Sequence, residues 1–224
     1  MKLKLIDKRI ETKNIKTFIF KPEGSITWTA GQYLIYSLPH ENSDTRGKMR
    51  FFTISASPFE KNPSITTKII DKSSSFKKTL DSLDLGQTIE TKGPDGDFVI
   101  ENVRKKYVFI AGGIGITPFF SIIKQLNYEK KPINITLFYI SNNKFVFKDV
   151  FDKISKTHIE FKTHYLNERI DKKIIKEKIN NLKEYIFYVS GPDPMVDDLE
   201  VLLKKLGVSK DKLKLDYFSG YKKV

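Results

Sequence analysis

The sequence predicts two folded units in one chain of 224 residues: an antiparallel β-barrel, then an α/β unit built on a parallel sheet. Three observations lead there. Over the first hundred residues, short runs alternate apolar and polar side chains, with one helical pattern among them. From about residue 104, apolar strands alternate with helical segments, the pattern of crossover connections. Between the two lies the polar segment ENVRKK (101–106), which sets the expected domains at 1–102 and 103–224. The chain is long enough for each unit to bury a core of its own.

Taken in order, KLKLID, IKTFIFKP, YLIYSLP, RFFTIS and SITTKIID read as strands separated by turn residues. SSSFKKTLDSLDLG reads as a helix, because Phe76, Leu80 and Leu83 fall at helical spacing. Ser74 or Ser75 caps its start and Gly86 ends it. QTIETKGPDGDFVI reads as a strand, a Gly-Pro-Asp-Gly turn and a second strand. Six or more short strands with one helix suggest a small closed barrel. In the second half, KYVFIAG, INITLFYI, HIEFKTHYL, EYIFYVSG and KLKLDYF read as strands. TPFFSIIKQL and DPMVDDLEVLLKKLG read as helices.

Composition removes several function classes. Hydrophobic content of 39% with 30% charged residues is that of a folded globular chain. The N-terminus alternates apolar and charged residues, as a strand does and a signal peptide does not. No apolar run approaches the roughly 20 residues that cross a bilayer, so no transmembrane segment and a cytoplasmic location are expected. The absence of cysteine excludes disulfides, thiolate catalysis and an iron–sulfur cluster held by this chain. His158 and His164 fall on one face of a predicted strand but too far apart along it for one ion, so no metal site is expected. The net charge of +13 raises nucleic acid as a partner. The lysines, however, are spread along the whole chain, with no basic arm, so nucleic acid is not expected.

Three motifs carry chemistry. AGGIGITPFF runs from a strand through Gly112, Gly113 and Gly115 into a helix at Thr117-Pro118. Small residues let backbone amides approach a phosphate, and the helix N-terminus adds positive potential. A plain tight turn is the competing reading of those residues. YVSGPDPM repeats the arrangement, placing Ser190, Gly191, Pro192 and Met195 at a strand-to-helix junction. The third is the strip Arg50-Phe51-Phe52-Thr53, where one of only five arginines precedes two aromatics and a hydroxyl.

In this order the motifs resemble the ferredoxin–NADP reductase superfamily of flavoenzymes. The resemblance implies an FAD-binding barrel and a second domain that binds NADPH or NADH. It implies that Arg50 pairs with the FAD diphosphate, that Phe52 lies against the flavin ring, and that Thr53 acts near the flavin N5; Phe51 belongs to the same strip. Where Phe52 stands, the family more often has tyrosine. Further implied contacts are Thr67 and Lys68 along the flavin backbone, and Ser74 and Ser75 at a phosphate-gripping helix start. Gly112, Gly113, Gly115, Thr117 and Pro118 match the nucleotide loop, with Gly191, Pro192 and Met195 opposite. Ser190 takes the place near the nicotinamide where many relatives have cysteine. Asp216, Phe218 and Tyr221 resemble a tail that covers the flavin.

The implied activity is hydride transfer from NAD(P)H to FAD, with electrons passed to an external acceptor. The basic surface makes an acidic ferredoxin or flavodoxin the expected partner. A flavin or quinone reductase, and an electron-transfer subunit of a larger complex, are the alternatives. Asn142, Asn143 and Lys144 follow the strand that would choose between NADH and NADPH, and they leave the choice open.

Overall fold

The computed structural model describes residues 1–41 and 43–218. They form two compact units, one of residues 1–99 with 120–125, the other of 100–119 with 126–218.

The first unit is a six-stranded antiparallel sheet. Its strands are β1 (Lys2–Thr12), β2 (Ile15–Pro22), β3 (Tyr33–Ser37), β4 (Met49–Thr53), β5 (Ser64–Lys68) and β6 (Thr88–Asp95), in the order β4-β3-β6-β1-β2-β5. Beyond β4, the Ser55 N–H donates to the Ser64 carbonyl at 3.0 Å, bringing one edge of the sheet to the other. The Ser55 hydroxyl lies 2.8 Å from those of Ser64 and Thr66. The barrel is therefore nearly closed, which removes exposed edges. Alternation fills its interior: Leu3, Leu5, Phe18, Phe20, Leu34, Tyr36 and Ile65 are fully buried.

Helix α1 (Ser75–Ser82) buries Phe76 and Leu80 against this core, and the Ser74 hydroxyl accepts the Lys77 N–H at its start. It is shorter than the sequence suggests. Leu83 already has extended backbone, and Gly86 (φ +94°) belongs to the turn before β6. The Gly-Pro-Asp segment is not a turn between two strands either. β6 runs through it to Asp95, with a register shift against β3 that accommodates the missing proline N–H, and residues 97–100 are not a strand.

The second unit is a parallel sheet in the order β11-β10-β7-β8-β9. From residue 106 on, the elements run β7 (Lys106–Gly112), α2 (Thr117–Tyr128, of which residues 120–125 group with the first unit), β8 (Ile135–Ile140), α3 (Lys148–Ser155), β9 (Lys162–Leu166), α4 (Lys172–Lys178), β10 (Tyr185–Gly191), α5 (Asp193–Lys205) and β11 (Leu213–Tyr217). β7, β8 and β10 are continuous apolar runs because helices cover both faces of such a sheet. β9 is shorter than its sequence pattern: His158 lies in the turn after α3, and only His164 is on the strand, its ring stacked on Phe138 at 5.1 Å. Chain order reverses direction across the sheet between β7 and β10. That is the switch point at whose carboxyl edge ligands bind in open α/β sheets. Among the described residues, no helix is long and apolar enough to cross a membrane.

Candidate cofactor-binding sites

Strand parity divides the strip on β4. Arg50 and Phe52 face α1: the Phe52 ring lies 5.9 Å from Tyr36 and 5.8 Å from Phe76, and the Arg50 guanidinium lies 5.5 Å from the Phe76 ring. Phe51 points the other way, 64% exposed, with its edge against Tyr33. The structure thus gathers Arg50, Phe52, Ser74 and Ser75, and leaves Phe51 on the opposite face. Thr53 and Thr67 are buried, and the Lys68 carbonyl accepts from Lys77 Nζ at 3.3 Å.

Arg50 is held by its own loop. Nη1 donates to the carbonyls of Arg46, Gly47 and Met49, and Nη2 donates to Asp44 Oδ1 at 2.8 Å. Nε is buried with no hydrogen-bond partner among the described residues. A buried, unmatched guanidinium donor is costly unless a further acceptor arrives. The donor set, a planar fork beside a helix N-terminus, suits a diphosphate, so these residues fit the anionic part of FAD. Asp44 and His40, which the sequence alone does not single out, join this cluster. Asp44 Oδ2 accepts the Ser75 N–H at 3.2 Å, and His40 Nε2 lies 2.9 Å from Ser75 Oγ. The available signal was the run Asp44-Thr45-Arg46-Gly47, whose aspartate folds a turn just ahead of Arg50.

In the second unit, two motifs more than seventy residues apart in sequence meet at the switch point, because parallel pairing sets Ser190 beside Ala111. Gly113 has φ +54°, and residues 113–116 make one tight turn into α2. A Cβ on Gly115 would overlap the Ser190 carbonyl oxygen and lie 2.8 Å from the Gly191 Cα. Met195 covers Gly112 and Gly191, and Pro192 starts α5. Thr117 is buried and its hydroxyl donates to the Ile114 carbonyl at 3.2 Å, so it braces the turn. Phe218 N–H donates to the Gly191 carbonyl at 2.8 Å. Tyr221 lies outside the described residues. Beyond β8, Asn142, Asn143 and Lys144 are exposed.

The sequence did not reveal that Ser190 and Asp216 are partners. They stand opposite in the β10–β11 register, and the Ser190 hydroxyl donates to Asp216 Oδ2 at 3.0 Å. Desolvation at the sheet edge pushes the Asp216 carboxyl up to about 6, while the Ser190 hydroxyl pulls the other way. An unfolded aspartate titrates near about 4, so between these values the unfolded chain binds fewer protons than the folded one. The contribution of Asp216 to stability is therefore fully present below about pH 4 and is lost as pH rises through about 6. Asp216→Asn is expected to raise the melting temperature relative to the parent above about pH 6, with the two converging in acid. Thermal melts across that window check this, and a pH-independent difference would contradict it.

Comparison with known proteins finds two domain families along the chain. An oxidoreductase FAD-binding domain profile matches residues 2–100, and an oxidoreductase NAD-binding domain profile matches residues 109–200. Flavohemoprotein A of Dictyostelium discoideum is 24% identical over 96% of this chain, which spans 59% of that protein. The Amycolatopsis cytochrome P450 reductase GcoB superposes with a TM-score of 0.82 at 18% identity, covering 97% of this chain and 70% of that one. The ferredoxin–NADP+ reductase of Plasmodium falciparum superposes at 0.79 with 19% identity, covering 97% and 95%. The chain spans somewhat over half the length of the flavohemoproteins it matches.

Proposed function

The chain belongs to the ferredoxin–NADP reductase superfamily of FAD- and NAD(P)H-dependent oxidoreductases, and from that premise we propose that it delivers electrons to a separate acidic carrier protein such as a ferredoxin or flavodoxin. When bound, FAD would supply the hydride and electron-transfer chemistry that links NAD(P)H to the acceptor. The protein's part is to hold and align. Arg50, with its unmatched Nε, and the amide and hydroxyl groups of Ser74 and Ser75 hold the FAD diphosphate. Phe52, fixed from behind by Tyr36 and Phe76, offers a flat apolar wall to the flavin ring, with the buried Thr53 next along the strand. The turn at Gly113–Ile116 and the start of α2 hold the nucleotide diphosphate, and Ser190 with Asp216 positions the nicotinamide end.

Charge carries the choice of acceptor. With 40 basic against 27 acidic residues and no cysteine, these 224 residues attract an acidic partner and hold no cysteine-ligated cluster of their own. Two of the similar structures, a cytochrome P450 reductase and a ferredoxin–NADP+ reductase, are named for a redox protein, which supports a protein acceptor.

The test is turnover of the FAD-loaded protein with NADPH or NADH and an acidic ferredoxin or flavodoxin, at two salt concentrations. Raising salt from about 10 mM to about 0.1 M shortens the screening length from about 30 to about 10 Å. The apparent KM for the carrier is then expected to rise by about tenfold. Salt-insensitive turnover of free flavin or quinone, with none of the carrier, would overturn the proposal in favour of a flavin or quinone reductase.

A further inference from the structure

We propose that the Asp44 carboxylate occupies the seat that the FAD diphosphate takes, so that the loop between β3 and β4 competes with the cofactor and sets how tightly it is held. This rests on reading Arg50 and the start of α1 as the diphosphate seat.

Asp44 joins the two halves of that seat. Its Oδ1 accepts from Arg50 Nη2 at 2.8 Å, and its Oδ2 accepts from the Ser75 N–H at 3.2 Å. The Asp44 N–H in turn donates to Ser75 Oγ at 3.0 Å, and Arg46 stands 3.6 Å from Oδ2. A carboxylate thus lies between a guanidinium and a helix N-terminus, the place and partners suited to a phosphate oxygen. Its neighbours on the loop, Glu41, Ser43, Thr45 and Arg46, face solvent, whereas Asp44 turns inward.

The group is bound as an anion. Burial opposes its ionisation, but the Arg46 N–H, the Arg50 and Arg46 charges and the Ser75 N–H together hold its carboxyl below the usual range. It is also an incomplete substitute. One carboxylate satisfies Nη2 and leaves Arg50 Nε buried and unmatched, whereas a diphosphate brings more oxygens and more charge to the same fork. Two anions do not share one seat without a large repulsion. FAD therefore binds by displacing Asp44, and part of its binding energy is spent in doing so.

The experiment is a titration of FAD into the cofactor-stripped full chain, followed by quenching of flavin fluorescence. Asp44→Asn keeps an oxygen for the local turn and removes the charge; it is expected to bind FAD about tenfold more tightly than the parent. Asp44→Ser, which cannot refill the seat, is expected to tighten binding likewise. Glu41→Gln, an exposed charge removed from the same loop, is expected to leave the affinity within about twofold. Parent protein that binds FAD while neither Asp44 variant binds it more tightly would overturn the competition and leave the seat standing. Parent protein that binds no FAD would overturn the seat itself, and the competition with it.

Discussion

Replacing Arg50 with alanine is expected to weaken FAD binding by about a hundredfold while costing little of the barrel's stability. A charge-assisted hydrogen bond contributes about 1.5–3 kcal/mol, and a guanidinium fork on a diphosphate forms two. A loss of about 3 kcal/mol corresponds to about a hundredfold in the dissociation constant. The fold depends on Arg50 far less, because its present acceptors are Asp44 and carbonyls of its own loop, outside the apolar core of the barrel. Arg50→Lys keeps the charge and loses the planar fork, so it is expected to fall between the two. FAD titrations paired with thermal melts separate these effects. Unchanged FAD affinity in Arg50→Ala would remove Arg50 from the site.

Gly115→Ala is expected to damage the second unit by about 2–4 kcal/mol, at the upper end for a single methyl group. The atoms nearest a Cβ there are all backbone, the Ser190 carbonyl and the Gly191 Cα, which cannot give way as a flexible side chain can. The turn after β7 must then move off the end of β10, which separates the two motifs proposed to hold the nucleotide. Gly112→Ala is the informative contrast. Its Cβ overlaps the Met195 side chain, which can swing aside, and lies 3.1 Å from the Pro192 Cδ, so the cost is smaller. NAD(P)H affinity and the melting temperature should both fall further for Gly115→Ala than for Gly112→Ala. Equal, small effects would show that the approach of β7 to β10 is looser than described.

Both units were legible because their signals are local. Period-two alternation and continuous apolar runs do not depend on partners, so the strands of the barrel and of the parallel sheet follow from the sequence alone. The elements that differ from expectation turn on tertiary context. Gly93-Pro94 reads as a turn, yet a register shift against β3 lets β6 continue through it. His158 reads as strand, yet it belongs to the turn after α3. The same division holds at the sites. Arg50, Phe52, Gly113 and Ser190 stand out by residue type and spacing. The facing of Phe51 away from Arg50, the hold of Asp44 on Ser75 and the Ser190–Asp216 pair depend on which segments become neighbours, and no single stretch of sequence encodes that. An aspartate beside an arginine in a polar loop looks like an ordinary surface charge until the start of α1 is seen against it.

The most direct test of the whole account is the absorption spectrum of the FAD-reconstituted protein under anaerobic conditions, recorded before and after stoichiometric NADPH and, separately, NADH. The expected result is a bound-flavin spectrum that at least one nucleotide bleaches, and that an oxidised acidic carrier then restores. A flavin spectrum that neither nucleotide changes would contradict it.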